Sequence, residues 1–164
     1  MTTYRLLVTG SRDWTDWQTA GEAFAEYLVS LPAGSTLIVV HGDAPGLDEI
    51  ADKWARSPTI AARYPEYTIL PEPHPADWCH CREECDHPPR VRRDGTPYCP
   101  AAGGYRNQGM VDVGADYCLA FPLAESRGTW DCARRAKRAD IPTRIVYSDS
   151  TSNPVTNSSF TASK

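Results

Sequence analysis

The chain has 164 residues, 41% hydrophobic and 23% charged, with a formal net charge of −4. That size and balance fit one soluble domain with a sizeable core. The net negative charge excludes a global basic field for holding nucleic acid, and no apolar run approaches the ~20 residues of a membrane span.

Residues 4–9, YRLLVT, are expected as a buried strand stopped at Gly10. A helix follows over 16–31, where Trp17, Ala20, Phe24, Tyr27, Leu28 and Leu31 can share a face, and Pro32 and Gly34 end it. TLIVVH, 36–41, is continuously apolar and β-branched, as a two-sided parallel strand should be. After the turn GDAPG, LDEIADKWA opens a helix with acids in its first turn. YTILPEP is a third strand, GYRNQGMVDVG a helix, ADYCLAFP a strand, RGTWDCARRAKRAD a helix and IPTRIVY a last strand. The Ser/Thr/Asn-rich tail, 148–164, has little to bury and is expected to be mobile. This alternation implies an α/β fold: one domain over 1–147, a doubly wound parallel sheet of about five strands with helices on both faces.

Ligands of such sheets bind beyond the carboxyl ends of the strands, so the loops there carry the candidate site. Gly10, Ser11 and Arg12 offer a glycine for close approach, a hydroxyl and a guanidinium that can fork two phosphate oxygens. His41, Gly42, Asp43, Gly46 and Asp48 precede a helix, whose free N–H groups favour anions. The two aspartates suit ribose hydroxyls, a base edge or an arginine partner better than bare phosphate. Asp48 reads equally as a helix-terminal acid, and His41 as a hydrogen-bonded histidine at a strand end. Gly128 and Thr129 open another helix in a phosphate-cradle arrangement, or simply as its cap, together with Ser126.

Residues 77–102 interrupt the alternation with four of the six cysteines and two of the four histidines. Without a signal-peptide pattern at the N-terminus, the expected location is the cytoplasm, where thiols stay reduced, so the cluster reads as metal ligands before disulfides. Cys81, Cys85, His87 and Cys99 give three sulfurs and an imidazole, the donor set of a closed structural zinc site; Cys79 or His80 could replace one of them. Disulfides, a catalytic zinc and a loop with incidental cysteines are the alternatives. Pro88, Pro89, Gly95 and Pro97 argue against regular structure in this loop, so a metal is the natural means of ordering it. Cys118 and Cys132 read as small core residues. The arginines at 90, 92, 93, 134, 135 and 138 form local basic patches, but no aromatic-interleaved stripe accompanies them, so nucleic acid is not an expected partner.

VTGSRDW, HGDAPGLDEIADKWA, HPADW and AAGGYRNQGMVDVGADYCLAFPLAESRGTWDCARRAKRADIP together resemble the YspA-like branch of the SLOG superfamily. The resemblance spans about 4–146 apart from the cysteine insert. It implies a Rossmann-like fold and a nucleotide or nucleotide-derived ligand. The superfamily includes cytokinin-activating phosphoribohydrolases, the DNA-processing protein of natural transformation, and domains thought to sense NAD- or ADP-ribose-like signals. The resemblance further implies that Arg106, followed by Asn107, and Asp131 occupy the positions of the phosphoribohydrolases' catalytic arginine and glutamate. Asp131 is one methylene shorter than that glutamate, reaching roughly 1.5 Å less, and the family's glycine run is replaced by Leu123 to Arg127. A binding or sensing module is therefore the favoured reading, an N-glycosidic or phosphoribosyl hydrolase the second, and a nucleic-acid accessory protein the third. Relatives often pair, so a homo-oligomer is also expected.

Overall fold

The computed structural model describes residues 1–149. Its elements run β1 (Thr3–Gly10), α1 (Trp17–Ser30), β2 (Thr36–His41), α2 (Leu47–Arg56), α3 (Pro58–Arg63), β3 (Thr68–Pro73), β4 (Arg90–Val91), β5 (Pro97–Tyr98), α4 (Ala102–Val113), β6 (Tyr117–Phe121), α5 (Arg127–Arg138) and β7 (Thr143–Ile145). Five strands form one parallel sheet in the order β3-β2-β1-β6-β7. The chain steps outward from β1 to β3, then returns past β1 to lay down β6 and β7. Strand order therefore reverses between β1 and β6, which opens a crevice at their carboxyl ends.

The period-2 alternation of β1 divides the core. Leu6 and Val8 pack with Phe24, Leu28, Leu37, Val39 and Trp54 under α1 and α2. Leu7 points the other way, to Val40, Met110, Val111, Cys118 and Cys132 under α4 and α5. Helices thus cover both faces, and the two central cysteines are core residues, fully buried in both cases. Phe121 at the end of β6 meets Trp14 and Phe24 edge-on, with centroids 5.3 and 5.5 Å apart.

Four details depart from the sequence reading. A short helix, α3, follows α2 directly, capped by Ser57 with Pro58 at its first turn; the proline that ends one helix begins the next. Trp17 is 70% exposed, so the buried face of α1 is Ala20, Ala23, Phe24 and Leu28. The cysteine insert does contain regular structure: β4 and β5 pair antiparallel around a turn in which Gly95 takes φ +85°. Ser148 and Asp149, counted with the tail in the sequence reading, are held in place: the buried Ser148 hydroxyl lies 2.9 Å from the Asp16 carboxylate and the Asp149 N–H donates to it at 3.1 Å. The rest of that expectation, 150–164, lies outside the described residues.

Candidate functional site

The crevice at the reversal point is a cavity of about 860 Å³. Its walls are the β1–α1 loop (Gly10 to Asp13), the start of α5 (Ser126 to Thr129), the first two turns of α4, and Trp78 from the insert. Of the residues singled out from the sequence, Gly10, Ser11, Arg12, Asp48, Arg106, Asn107, Gly128, Thr129 and Asp131 line it. His41, Gly42, Asp43 and Gly46 do not; His41, Gly42 and Gly46 form the support behind it.

That support explains the glycines. A Cβ on Gly10 would collide with the Leu47 side chain, and one on Gly46, at φ +78°, would collide with the carbonyls of Ser11 and Arg12. The β1–α1 and β2–α2 loops therefore lie backbone against backbone, joined by Leu47 N–H donating to Ser11 O at 3.1 Å. A Cβ on Gly42 would occupy the place of the Arg106 guanidinium. These three glycines serve packing between loops. Gly128 differs, since its Cβ would point into open space. His41 is fully buried; its Nδ1 accepts from Asp43 N–H at 3.1 Å and its Nε2 faces Asp52 Oδ1 at 3.0 Å, so it is a hydrogen-bonded histidine at a strand end. Asp43 itself is exposed.

Asp48 is 5% exposed. Its Oδ2 accepts from Gly42 N–H at 3.1 Å and Ala44 N–H at 3.3 Å, while its Oδ1 is buried with no partner. Burial pushes the carboxyl above its usual value, with Arg106 and His41 pulling the other way. Arg106 donates to Gly42 O, to His74 O at 3.4 Å and to Asn107 Oδ1 at 2.9 Å. Asn107 Nδ2 donates in turn to Asp131 Oδ2 at 3.0 Å, which also accepts from Arg135 at 2.9 Å. Burial raises the Asp131 pKa, but these donors outweigh it and hold the carboxyl below its ordinary value. The cavity thus contains two carboxyl groups pushed in opposite directions. Its charged walls balance: Arg12, Arg106, Arg127 and Arg135 against Asp13, Asp48, Glu125 and Asp131.

At the N-terminus of α5, Ser126 does not cap the helix, because its hydroxyl accepts from Leu123 N–H at 2.8 Å instead. Arg127 N–H donates to Glu125 O at 3.0 Å and Trp130 N–H to Ser126 O at 3.1 Å, which leaves the N–H groups of Gly128 and Thr129, both lining the cavity, where the helix dipole favours an anion. Ser11, 8% exposed, accepts from Asp13 N–H through its Oγ and keeps a hydroxyl hydrogen to donate.

In the insert, the sulfurs of Cys81, Cys85 and Cys99 lie within 4.8 Å of one another and could hold a metal ion. The Cys85–Cys99 separation is 3.9 Å. Two thiolates at about 2.3 Å from one tetrahedral ion stand roughly 3.8 Å apart, so the spacing already fits. Cys81 is pushed up to about 11 by burial and by the neighbouring Cys99 and Cys85 sulfurs, the condition a cation would relieve. His87 lies outside the three-sulfur group, but its Nε2 is buried with no partner. Cys79 and His80 are exposed, and His80 is paired with Asp77 at 3.0 Å. The sequence reading missed Trp78 as a wall of the cavity; it adjoins the cysteine run, which drew attention to sulfur and away from the ring beside it.

A parallel sheet with its crevice at the strand reversal, an uncapped helix start and a buried carboxyl among the lining residues make this a Rossmann-like α/β domain. A family model, YspA, cpYpsA-related SLOG family, matches residues 4–79. The Gene 61 protein of Mycobacterium phage D29 is 42% identical over 139 residues, covering 84% of this chain and 92% of that protein. The chain belongs to the YspA-related SLOG family. No solved structure matches it. Among the described residues, no helix is long and apolar enough to cross a membrane.

Proposed function

We propose that the crevice binds a nucleotide or nucleotide-derived ligand, with phosphate at Ser11, Arg12, Gly128 and Thr129 and a hydroxyl or amine at Asp48. The observation that carries this reading is the Asp48 Oδ1, a buried carboxylate oxygen without a hydrogen-bond partner in a residue that lines the cavity; a ligand donor would satisfy it. A ribose hydroxyl is such a donor, and the uncapped α5 start a few ångströms of chain from Asp131 is where its phosphate fits. Arg106 gives its Nε to Asn107 Oδ1 and its Nη1 to the carbonyls of Gly42 and His74, so that edge of the guanidinium fixes the Asp48 loop. The role favoured is binding or sensing. Isothermal titration with AMP, ADP-ribose and NAD should detect at least one complex. Asp48→Asn keeps the shape and should weaken it ten-fold or more, since a hydrogen bond to a charged acceptor contributes about 1.5–3 kcal/mol, with the melting temperature little changed. Failure of every phosphate-bearing nucleoside to bind would sink the reading.

The oppositely displaced Asp48 and Asp131 carboxyls favour one second reading, hydrolysis of an N-glycosidic or phosphoribosyl bond, with Asp48 as acid and Asp131 ionised against developing positive charge. Release of free base by the wild type that disappears in Asp131→Asn would replace binding with catalysis. In the insert, zinc is the ion we assign to Cys81, Cys85 and Cys99, with His87 as the fourth donor. Thiolate-rich sets favour zinc, and the orphaned His87 Nε2 lacks only a ligand role. There it would hold the loop and take no part in any reaction.

A further inference from the structure

We propose that Trp78 is the surface on which the ligand's aromatic base stacks, and that the cysteine-held loop keeps it in place. The proposal rests on the nucleotide reading above and specifies what that reading leaves open, the part of the ligand that is neither phosphate nor sugar. Such a base needs a flat apolar face. Two aromatic side chains line the cavity, Trp78 and Tyr105. Tyr105 is held at both ends: the Arg82 guanidinium lies 4.2 Å from its ring centroid and its hydroxyl is 3.4 Å from Cys85 Sγ. Trp78 carries only the more distant Arg12, 5.5 Å from its centroid, and is the freer of the two rings.

The indole is placed from several directions. On α4, Gly103 leaves room for it, since a Cβ there would stand 3.2 Å from the ring. The Arg12 guanidinium sits 5.5 Å from its centroid, linking the ring to the end of the cavity where phosphate is expected. Its carbonyl accepts from Cys99 N–H at 2.8 Å. Cys99 is one of the three clustered sulfurs, and Cys85, another, touches Tyr105 next to Arg106. The cluster, Tyr105 and Trp78 are thus one connected unit against the cavity wall. Along the chain its N–H donates to Ala76 O at 3.1 Å, while the flanking Asp77 and Cys79 are exposed. An ion in the cluster orders the peptide that carries the ring. In this arrangement the insert supplies specificity: the β1 and α5 loops read the phosphate, Asp48 reads a hydroxyl, and Trp78 reads the base.

The test compares each of the four nucleoside 5′-monophosphates with ribose 5-phosphate, by isothermal titration on the full chain with its bound metal measured in parallel. Stacking is expected to give at least one nucleotide a roughly five- to hundred-fold tighter complex than ribose 5-phosphate. Trp78→Ala should erase most of that preference, and Trp78→Phe should keep part of it. Binding of ribose 5-phosphate itself reports that each variant is folded. Cys81→Ser, with its metal lost, should reduce the preference as Trp78→Ala does. A wild-type protein that binds ribose 5-phosphate and every nucleotide alike overturns the stacking proposal and leaves the phosphate site intact. A Trp78→Ala protein with undiminished preference also overturns it. A metal-free Cys81→Ser protein that retains the preference overturns the role of the loop. If neither class of compound binds, the nucleotide reading falls, and this proposal with it.

Discussion

Gly128 separates folding from function at a single position. Two other glycines beside the crevice are fixed by protein atoms: Leu47 fills the space beside Gly10, and Arg106 that beside Gly42. Nothing in the protein fills the space beside Gly128, although it opens a helix and lines the cavity. Gly128→Ala should therefore fold at least as well as the wild type, gaining up to about 1 kcal/mol from helix propensity. The added methyl projects where a phosphate would approach the α5 N–H groups, so nucleotide affinity should drop. Thermal melting and titration on one sample read both effects, and unimpaired binding would move the phosphate elsewhere. Sequence alone could not distinguish these glycines, because each merely precedes a helix. The distinction depends on which residues from distant parts of the chain come to rest beside them.

Among the elements, β6 has the most to do. It pairs with β1 at the reversal point and ends at Phe121, whose carbonyl accepts from Ser11 N–H at 3.0 Å. Phe121 is fully buried between Trp14 and Phe24, so it joins the sheet edge to α1 and to the loop carrying Ser11. Phe121→Ala should cost about 3–5 kcal/mol, measured by denaturant unfolding. Because Ser11, which lines the cavity, is tied to the Phe121 carbonyl, ligand affinity should fall as well. The main helices and sheet strands were legible to within a few residues, because continuous apolar runs and 3.6-residue spacing survive in them. The element missed was α3, six residues with no buried side chain and hence no periodic signal. The β4–β5 hairpin was also missed: its strands are two residues each, and its prolines and glycine resemble irregular loop.

Across the whole molecule, Arg5 on β1 reaches over β2 to Glu72 on β3, with hydrogen bonds of 3.0 and 2.5 Å, and also donates to Gly114 O at the end of α4. Arg5, and His74 to a lesser degree, hold Glu72 down to about 2, against burial, from an ordinary value of 4.5. A carboxylate whose pKa is depressed by folding stabilises the folded state above its unfolded value and stops doing so as it protonates. This contribution is accordingly complete above pH 4.5 and is lost as pH falls toward about 2. Glu72→Gln should lower the melting temperature near neutrality and flatten its decline over that acid window. A variant that parallels the wild type throughout would show the contact to be too solvent-screened to matter.

The sequence by itself determined the alternating α/β architecture, the buried strands and the cysteine cluster, since all three are local properties of spacing and composition. The family resemblance added the nucleotide expectation. Only the tertiary structure decided which candidates share the crevice and which stand behind it. His41 and Asp43 read like site residues in the chain, yet His41 is sealed into the core by Asp52 and Asp43 faces solvent. Asp48, equally plausible as a helix-terminal acid, is the one left with an unanswered oxygen. Trp78 becomes part of the site only because the insert folds back onto α4. Hydrogen-bond satisfaction and the burial of a ring depend on partners far away along the chain, and no periodicity encodes them.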